Sequence, residues 1–209
     1  MAIATYADLK RSVARSLDNN TLASETDDFI AISEARFNRI LRDPQMETRT
    51  TLTVGGSAVD SIALPSDFLE LREVHIEAAT YKPLSYRSPQ FIETVRSQMS
   101  GDPVFYSVEQ QLLSFAAQAP AAMAFSILYF QKIPGLTSAN TTNWLMTDYP
   151  DIYVYSTMMQ AELLAVNVER VAGWKQLLDE AMKEVRQVGD LTRLGAESTT
   201  RRRSQRGPV

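Results

Sequence analysis

Apolar residues recur every three to four positions at the two ends of this chain and every second position through its middle, a contrast that predicts how it is organised. Over residues 6–18, Leu9, Val13 and Leu17 fall four apart, and Thr5 with Asp8 makes a variant capping box at the start of a helix. A second helix is predicted from Asp27 to Arg42 behind a Ser24/Thr26 cap, with Phe29, Ile32, Phe37, Ile40 and Leu41 as its stripe and Asp43-Pro44 as its stop. A third starts at Pro150, a residue suited to the first helical position, and runs to about Ala165 with Ile152, Tyr155, Met159, Glu162 and Leu163 in phase. The fourth covers Val168 to Val188 on a stripe of Trp174, Leu177, Leu178, Ala181, Val185 and Val188.

Between these pairs the period drops to two. "RTTLTV" and "SIAL" flank Gly55-Gly56 and read as a hairpin. "LELREVHIE" is a strand whose apolar phase changes between Leu71 and Val74, which predicts a bulge. "KPLSY", "VFYSV", "LLSFA" and "AAMAFSILYFQ" complete a mostly antiparallel set, and "SPQFIETVRSQ" interrupts it with a short helix capped by Ser88. Residues 134–149, rich in Ser, Thr and Asn, form a long loop of the kind that serves a function or packs on a partner.

The expected fold class is therefore α+β: a helical bundle made by the N- and C-terminal helix pairs, an inserted antiparallel β region, and an extended C-terminal tail. The expected boundaries are 1–48 for the N-terminal helices, 49–133 for the β-rich insert, 134–149 for the loop, 150–190 for the C-terminal helices and 191–209 for the tail.

Composition narrows the chemistry. Without cysteine there is no disulfide and no thiolate nucleophile or ligand. A hydrolytic triad needs a base beside its nucleophile, and His75 is the only histidine. "GGSAV" lacks the second glycine of a nucleophile elbow, and no phosphate-binding glycine pattern occurs. Glu73, His75 and Glu77 alternate along one strand and share a face; with Val74 and Ile76 turned to a core, they read as its solvated side rather than as metal ligands. Asp27-Asp28 sits in a first helical turn, where negative charge offsets the macrodipole. No enzyme activity, metal or cofactor is expected. Asp8 and Lys10 break any secretory apolar run, and Pro120 with its flanking glutamines makes the uncharged stretch 110–131 two strands and a turn rather than a membrane span.

Charge is distributed unevenly. The net charge is −4, yet the last twelve residues carry Arg201, Arg202, Arg203 and Arg206 and no acid, so residues 1–197 carry −8. An acidic body is repelled by duplex DNA. Four phosphate contacts from the tail imply a salt slope of about −3.6 and a roughly 150-fold loss of affinity between 50 and 200 mM salt, a weak hold on DNA for one copy. Tyr149, Tyr153 and Tyr155 lack the interleaved basic residues of a base-stacking platform, which favours core or protein-interface use.

The segments "ISEARFNRILRDPQMETRTTLTV", "LPSDFLELREV", "KPLSYRSPQ", "TNWLMTDYPDIYVYSTMMQAE" and "ERVAGWKQLLDEAM", in that order, resemble the adaptor (head-to-tail connector) proteins of tailed bacteriophages. The resemblance spans about residues 5–190. It implies a structural virion protein of the phage neck, assembled in the host cytoplasm: one subunit of a ring, commonly of twelve copies, that joins the portal protein above to the tail nozzle or tube below. Phage DNA would pass through without sequence-specific binding. It also supplies a receptor for the tail, whose arginines at 201, 202, 203 and 206 are expected to dock on the portal, meeting either its carboxylates in bidentate pairs or DNA phosphates in the channel. Trp144, Tyr149 and Tyr153 are the expected subunit or tail interface. The competing readings are a DNA-binding accessory protein that uses the basic tail and, further off, a small enzyme around His75.

Overall fold

The computed structural model describes residues 3–17 and 20–204, mixed α and β in two compact units. One unit is made by the chain up to Gln45 and from Ile133 onward, the other by Met46–Lys132.

The first unit holds α1 (Tyr6–Ser16), α2 (Asn20–Ser24) and α3 (Thr26–Ile40) from the N-terminal part. Local signals explain α1: the Thr5 side chain accepts from the Asp8 N–H and donates its hydroxyl to Asp8 Oδ2, and Leu9, Val13 and Leu17 are buried along one face. Helix α3 departs from its predicted cap and stripe. Glu25 stands at its N-cap without a side-chain bond, and the buried row is Phe29, Ile30, Ser33, Glu34 and Phe37, while Ile32 is half exposed. Two polar residues on the inner face disguised the true phase; Ser33 belongs there because its hydroxyl donates to Phe29 O and accepts from Ser156 Oγ.

The C-terminal part of this unit adds α5 (Trp144–Asp148), α6 (Pro150–Leu164) and α7 (Val168–Ser204), α4 (Pro89–Val95) lying in the other unit. Helix α6 is central: it packs on α1, α3, α5 and α7, and its Ile152, Tyr153, Ser156, Thr157, Met158, Met159, Ala161 and Glu162 are all buried. Burial on nearly every side is why its sequence shows so weak a two-faced pattern. Its last turn closes with the N–H groups of Val166 and Asn167 on the carbonyls of Leu163 and Glu162, a Schellman arrangement whose left-handed position, φ 57°, is filled by Val166. A β-branched residue there stores strain of about 1–2 kcal/mol that glycine would avoid.

Helix α7 buries Leu178, Ala181, Met182, Val185 and Gly189, leaving Leu177 and Val188 of the expected stripe substantially exposed. Gly189 is a close-approach glycine: a Cβ there would lie 2.8 Å from Asp43 Oδ2 and 3.2 Å from Pro44 Cδ, whereas at Gly173 it would meet nothing within 4 Å. Helix propensity favours alanine at both by up to about 1 kcal/mol. Gly173→Ala is therefore expected to raise stability by about 0.5–1 kcal/mol, and Gly189→Ala to lower it, in parallel thermal melts. Near the same glycine, Arg193 Nη2 donates to Arg42 O at 2.6 Å and Arg186 Nη2 to Ile40 O at 3.4 Å, which satisfies carbonyls left open at the end of α3.

The tail expected to be extended from residue 191 instead continues α7 as helix to Ser204; residues 205–209 lie outside the described residues. The sequence offers a reason: no proline intervenes between Pro150 and Pro208, and arginines suit the carbonyl end of a helix.

The second unit is a two-layer β-sandwich. Strands β1 (Glu47–Thr53), β8 (Ala124–Gln131), β3 (Phe68–Ile76) and β4 (Lys82–Pro83) form one sheet in that order, all antiparallel. The other runs β2 (Val59–Ala63), β7 (Leu112–Ala119), β6 (Phe105–Glu109), β5 (Ser85–Tyr86), with β5 parallel to β6. Helix α4 (Pro89–Val95) starts on the Ser88 cap as expected, and β3 shifts register between Leu71 and Glu73, where the bulge was predicted.

The Gly55-Gly56 hairpin is a correction. Strands β1 and β2 lie in different sheets, paired with β8 and β7, and neither glycine has the positive φ that a tight hairpin turn requires. The chain crosses between sheets three times more, between β2 and β3, at buried Leu84 inside "KPLSY" and at the turn after Pro120, where Ala122 has φ 62°. These crossings place both sheets around one core, with Phe115 stacked on Phe125 at 4.6 Å.

Candidate functional site

The segment 134–149 is fastened to its own unit by a buried polar chain. Glu34 Oε1 accepts from the Leu136 N–H at 2.7 Å and from the Tyr153 hydroxyl at 3.2 Å. Asn143 donates from Nδ2 to Tyr153 Oη at 2.7 Å and to Pro134 O at 2.8 Å, while its Oδ1 caps α5 through the Met146 N–H. Gly135 makes a close approach to the same carboxyl: a Cβ there would sit 3.0 Å from Glu34 Oε2. This chain was not visible as a motif: Glu34 stands more than a hundred residues from Leu136, Asn143 and Tyr153, and the signal available was a carboxylate in phase with Phe37 on the inner side of α3.

Burial raises the Glu34 carboxyl above the usual carboxylate range, against the Leu136 N–H and Tyr153 hydroxyl, which favour its charged form. Burial first, and then Glu34 itself, push the Tyr153 phenol far up. A carboxyl raised in the folded state holds its proton more tightly folded than unfolded. Its stabilising contribution is thus complete below the ordinary carboxylate pKa and is lost as pH rises through the folded value. Glu34→Gln cannot ionise, so urea midpoints are expected to shift in the variant's favour relative to the parent as pH goes from about 4 to about 7. A pH-independent difference would show that Glu34 does not titrate with folding.

Of the expected interface aromatics, Tyr153 is a correction: it is fully buried and stands edge-on to Phe37 at 5.2 Å, a core residue of its own protomer. Helical phase decides this, because Tyr153 follows Ile152 on the crowded side of α6 while Tyr155 is half exposed against Trp174. Trp144 and Tyr149 are brought together at the two ends of α5, ring centroids 6.5 Å apart and nearly perpendicular, both half-buried. Arg201, Arg202 and Arg203 fall on the last helical turns of α7, and Arg206 lies outside the described residues.

On β3, Val74 and Ile76 are buried and the alternate residues point outward. The Glu73 carboxylate is held by Arg49, Tyr81 and His75, which together, with the Tyr81 hydrogen bond foremost, lower its pKa; Glu77 accepts from the Thr51 hydroxyl. Among the described residues no three His, Asp or Glu side chains stand together as metal ligands, and no helix is long and apolar enough to cross a membrane.

What the described residues offer instead is surface: paired half-buried aromatics on a fastened loop and an exposed aliphatic turn between α6 and α7. These are the features of an assembly protein. The chain belongs to the SU10 adaptor protein family, a phage head-to-tail adaptor family, whose model matches residues 4–206. No curated protein matches the sequence. The protein is accordingly a phage structural adaptor and a virion component, of a family that works with portal and tail proteins.

Proposed function

We propose that this adaptor forms a ring, of twelve copies, that sits beneath the portal, receives the tail nozzle or tube below, and lines part of the channel through which phage DNA leaves. Family membership across nearly the whole chain is the observation that carries this reading. The −8 charge of residues 1–197 supports it, because acidic walls would let DNA slide without adhering. The docking element is the basic C-terminal segment, with Arg201, Arg202, Arg203 and Arg206 meeting portal carboxylates, and Trp144 with Tyr149 facing a neighbouring subunit or the tail.

The test is a mass measurement of the full chain with and without purified portal rings. The expected result is a monomer alone and a twelve-copy ring on the portal. Removing residues 198–209 is expected to abolish attachment while leaving the thermal unfolding transition of the remaining chain intact. Undiminished portal binding by the truncated chain would refute the docking role. Steeply salt-dependent DNA affinity without portal binding would favour the DNA-accessory reading, which the four arginines support.

A further inference from the structure

Among the described residues, two sites of exposed apolar surface, one on each unit, also carry an unpaired charge. On the helical unit, the turn from α6 to α7 presents Leu163, Leu164, Val166 and Val168, each between 58% and 81% exposed. Val166 holds the left-handed backbone that glycine would adopt without strain, yet a large apolar side chain is kept there and turned to solvent. Strain retained for a side chain this exposed points to a contact outside the protomer. Glu169 is exposed beside this turn and forms no ion pair among the described residues.

On the β unit, Phe91 is exposed beside Arg87, while exposed Tyr86, the preceding residue on β5, projects from the other face of the sheet. Tyr86 meets Tyr106 edge-on at 5.7 Å, Phe91 meets Phe105 edge-on at 5.6 Å, and the Arg87 guanidinium lies over the Phe91 and Phe105 rings at 5.8 and 5.0 Å. Arg49, Arg72 and Arg96 of the same unit reach the carboxylates of Glu73, Glu47 and Glu93; Arg87 reaches none among the described residues. An arginine stacked on one exposed and one half-buried ring, and short of a carboxylate, has the composition of the energetic centre of a protein interface.

We propose that these surfaces are the two halves of one contact between copies of this chain: the aromatic patch around Arg87 of one protomer seats the aliphatic α6–α7 turn of the next, and Arg87 pairs with the neighbour's Glu169. Both halves are apolar, and they carry opposite unpaired charges. Because the halves differ, the contact is head-to-tail, the type that closes into rings rather than two-fold dimers. The inference rests on the ring reading and supplies residues for it.

Charge reversal tests the pairing on the full-length chain, assembled in solution or on portal rings. Arg87→Glu and Glu169→Arg are each expected to weaken assembly about tenfold or more, read as oligomer mass against protein concentration. An equimolar mixture of the two variants is expected to restore it, since in alternation every contact again joins opposite charges. Both positions are exposed, so circular dichroism is expected to be unchanged. Assembly equal to the parent's in either variant, or a loss that mixing does not rescue, overturns this contact and leaves the ring reading standing. Failure of the unmodified chain to assemble even on portal rings overturns both.

Discussion

Tyr153→Ala is expected to lower stability by about 3–5 kcal/mol for the lost ring alone, the usual range for emptying an aromatic site in a closed core. The ring has no exposed surface and packs edge-on against Phe37, so neighbours cannot simply relax into the space. The loss extends further, because the hydroxyl joins Asn143 to Glu34 and its removal strands a buried carboxylate and a buried amide. Tyr153→Phe isolates that second part and is expected to cost about 1–3 kcal/mol. Urea titration of both variants measures the difference. A Tyr153→Ala chain within about 1 kcal/mol of the parent would mean that the residue is not a core anchor.

In the sandwich, Phe115→Ala is expected to have a comparable effect, about 3–5 kcal/mol. Phe115 and Phe125 are both fully buried and stacked at 4.6 Å with planes 16° apart, one from each sheet. Their contact joins the two layers directly. A double-mutant cycle with leucine at the two positions is expected to show a coupling of about 0.5–1.5 kcal/mol, the excess that paired rings hold beyond their buried area. Additive losses would mean that each ring serves only its own sheet.

Both sites show where sequence reasoning reached and where it stopped. The capping of α1 by Thr5 and Asp8, of α4 by Ser88, the start of α6 at Pro150 and the register shift after Leu71 were all legible, since each depends on residues within a few positions of one another. The buried chain of Glu34, Asn143 and Tyr153 was not, because polar residues inside a core look like surface residues until their partners are known. Ile32 and Ile30 differ by two positions on α3, and the polar Ser33 and Glu34 hid which of them faced inward.

By itself, then, the sequence determined the α+β class, most helix starts, the β character of the middle, the charge contrast between body and tail, and the segments that resemble phage adaptors. Tertiary structure decided that β1 and β2 part into different sheets, that Tyr153 belongs to the core rather than to an interface, and that α7 continues past Val188 to Ser204. The physical reason is range. Caps, turns and periodicity are set by neighbours along the chain, whereas sheet partners and the facing of an ambiguous residue are set by which distant surfaces compete for burial.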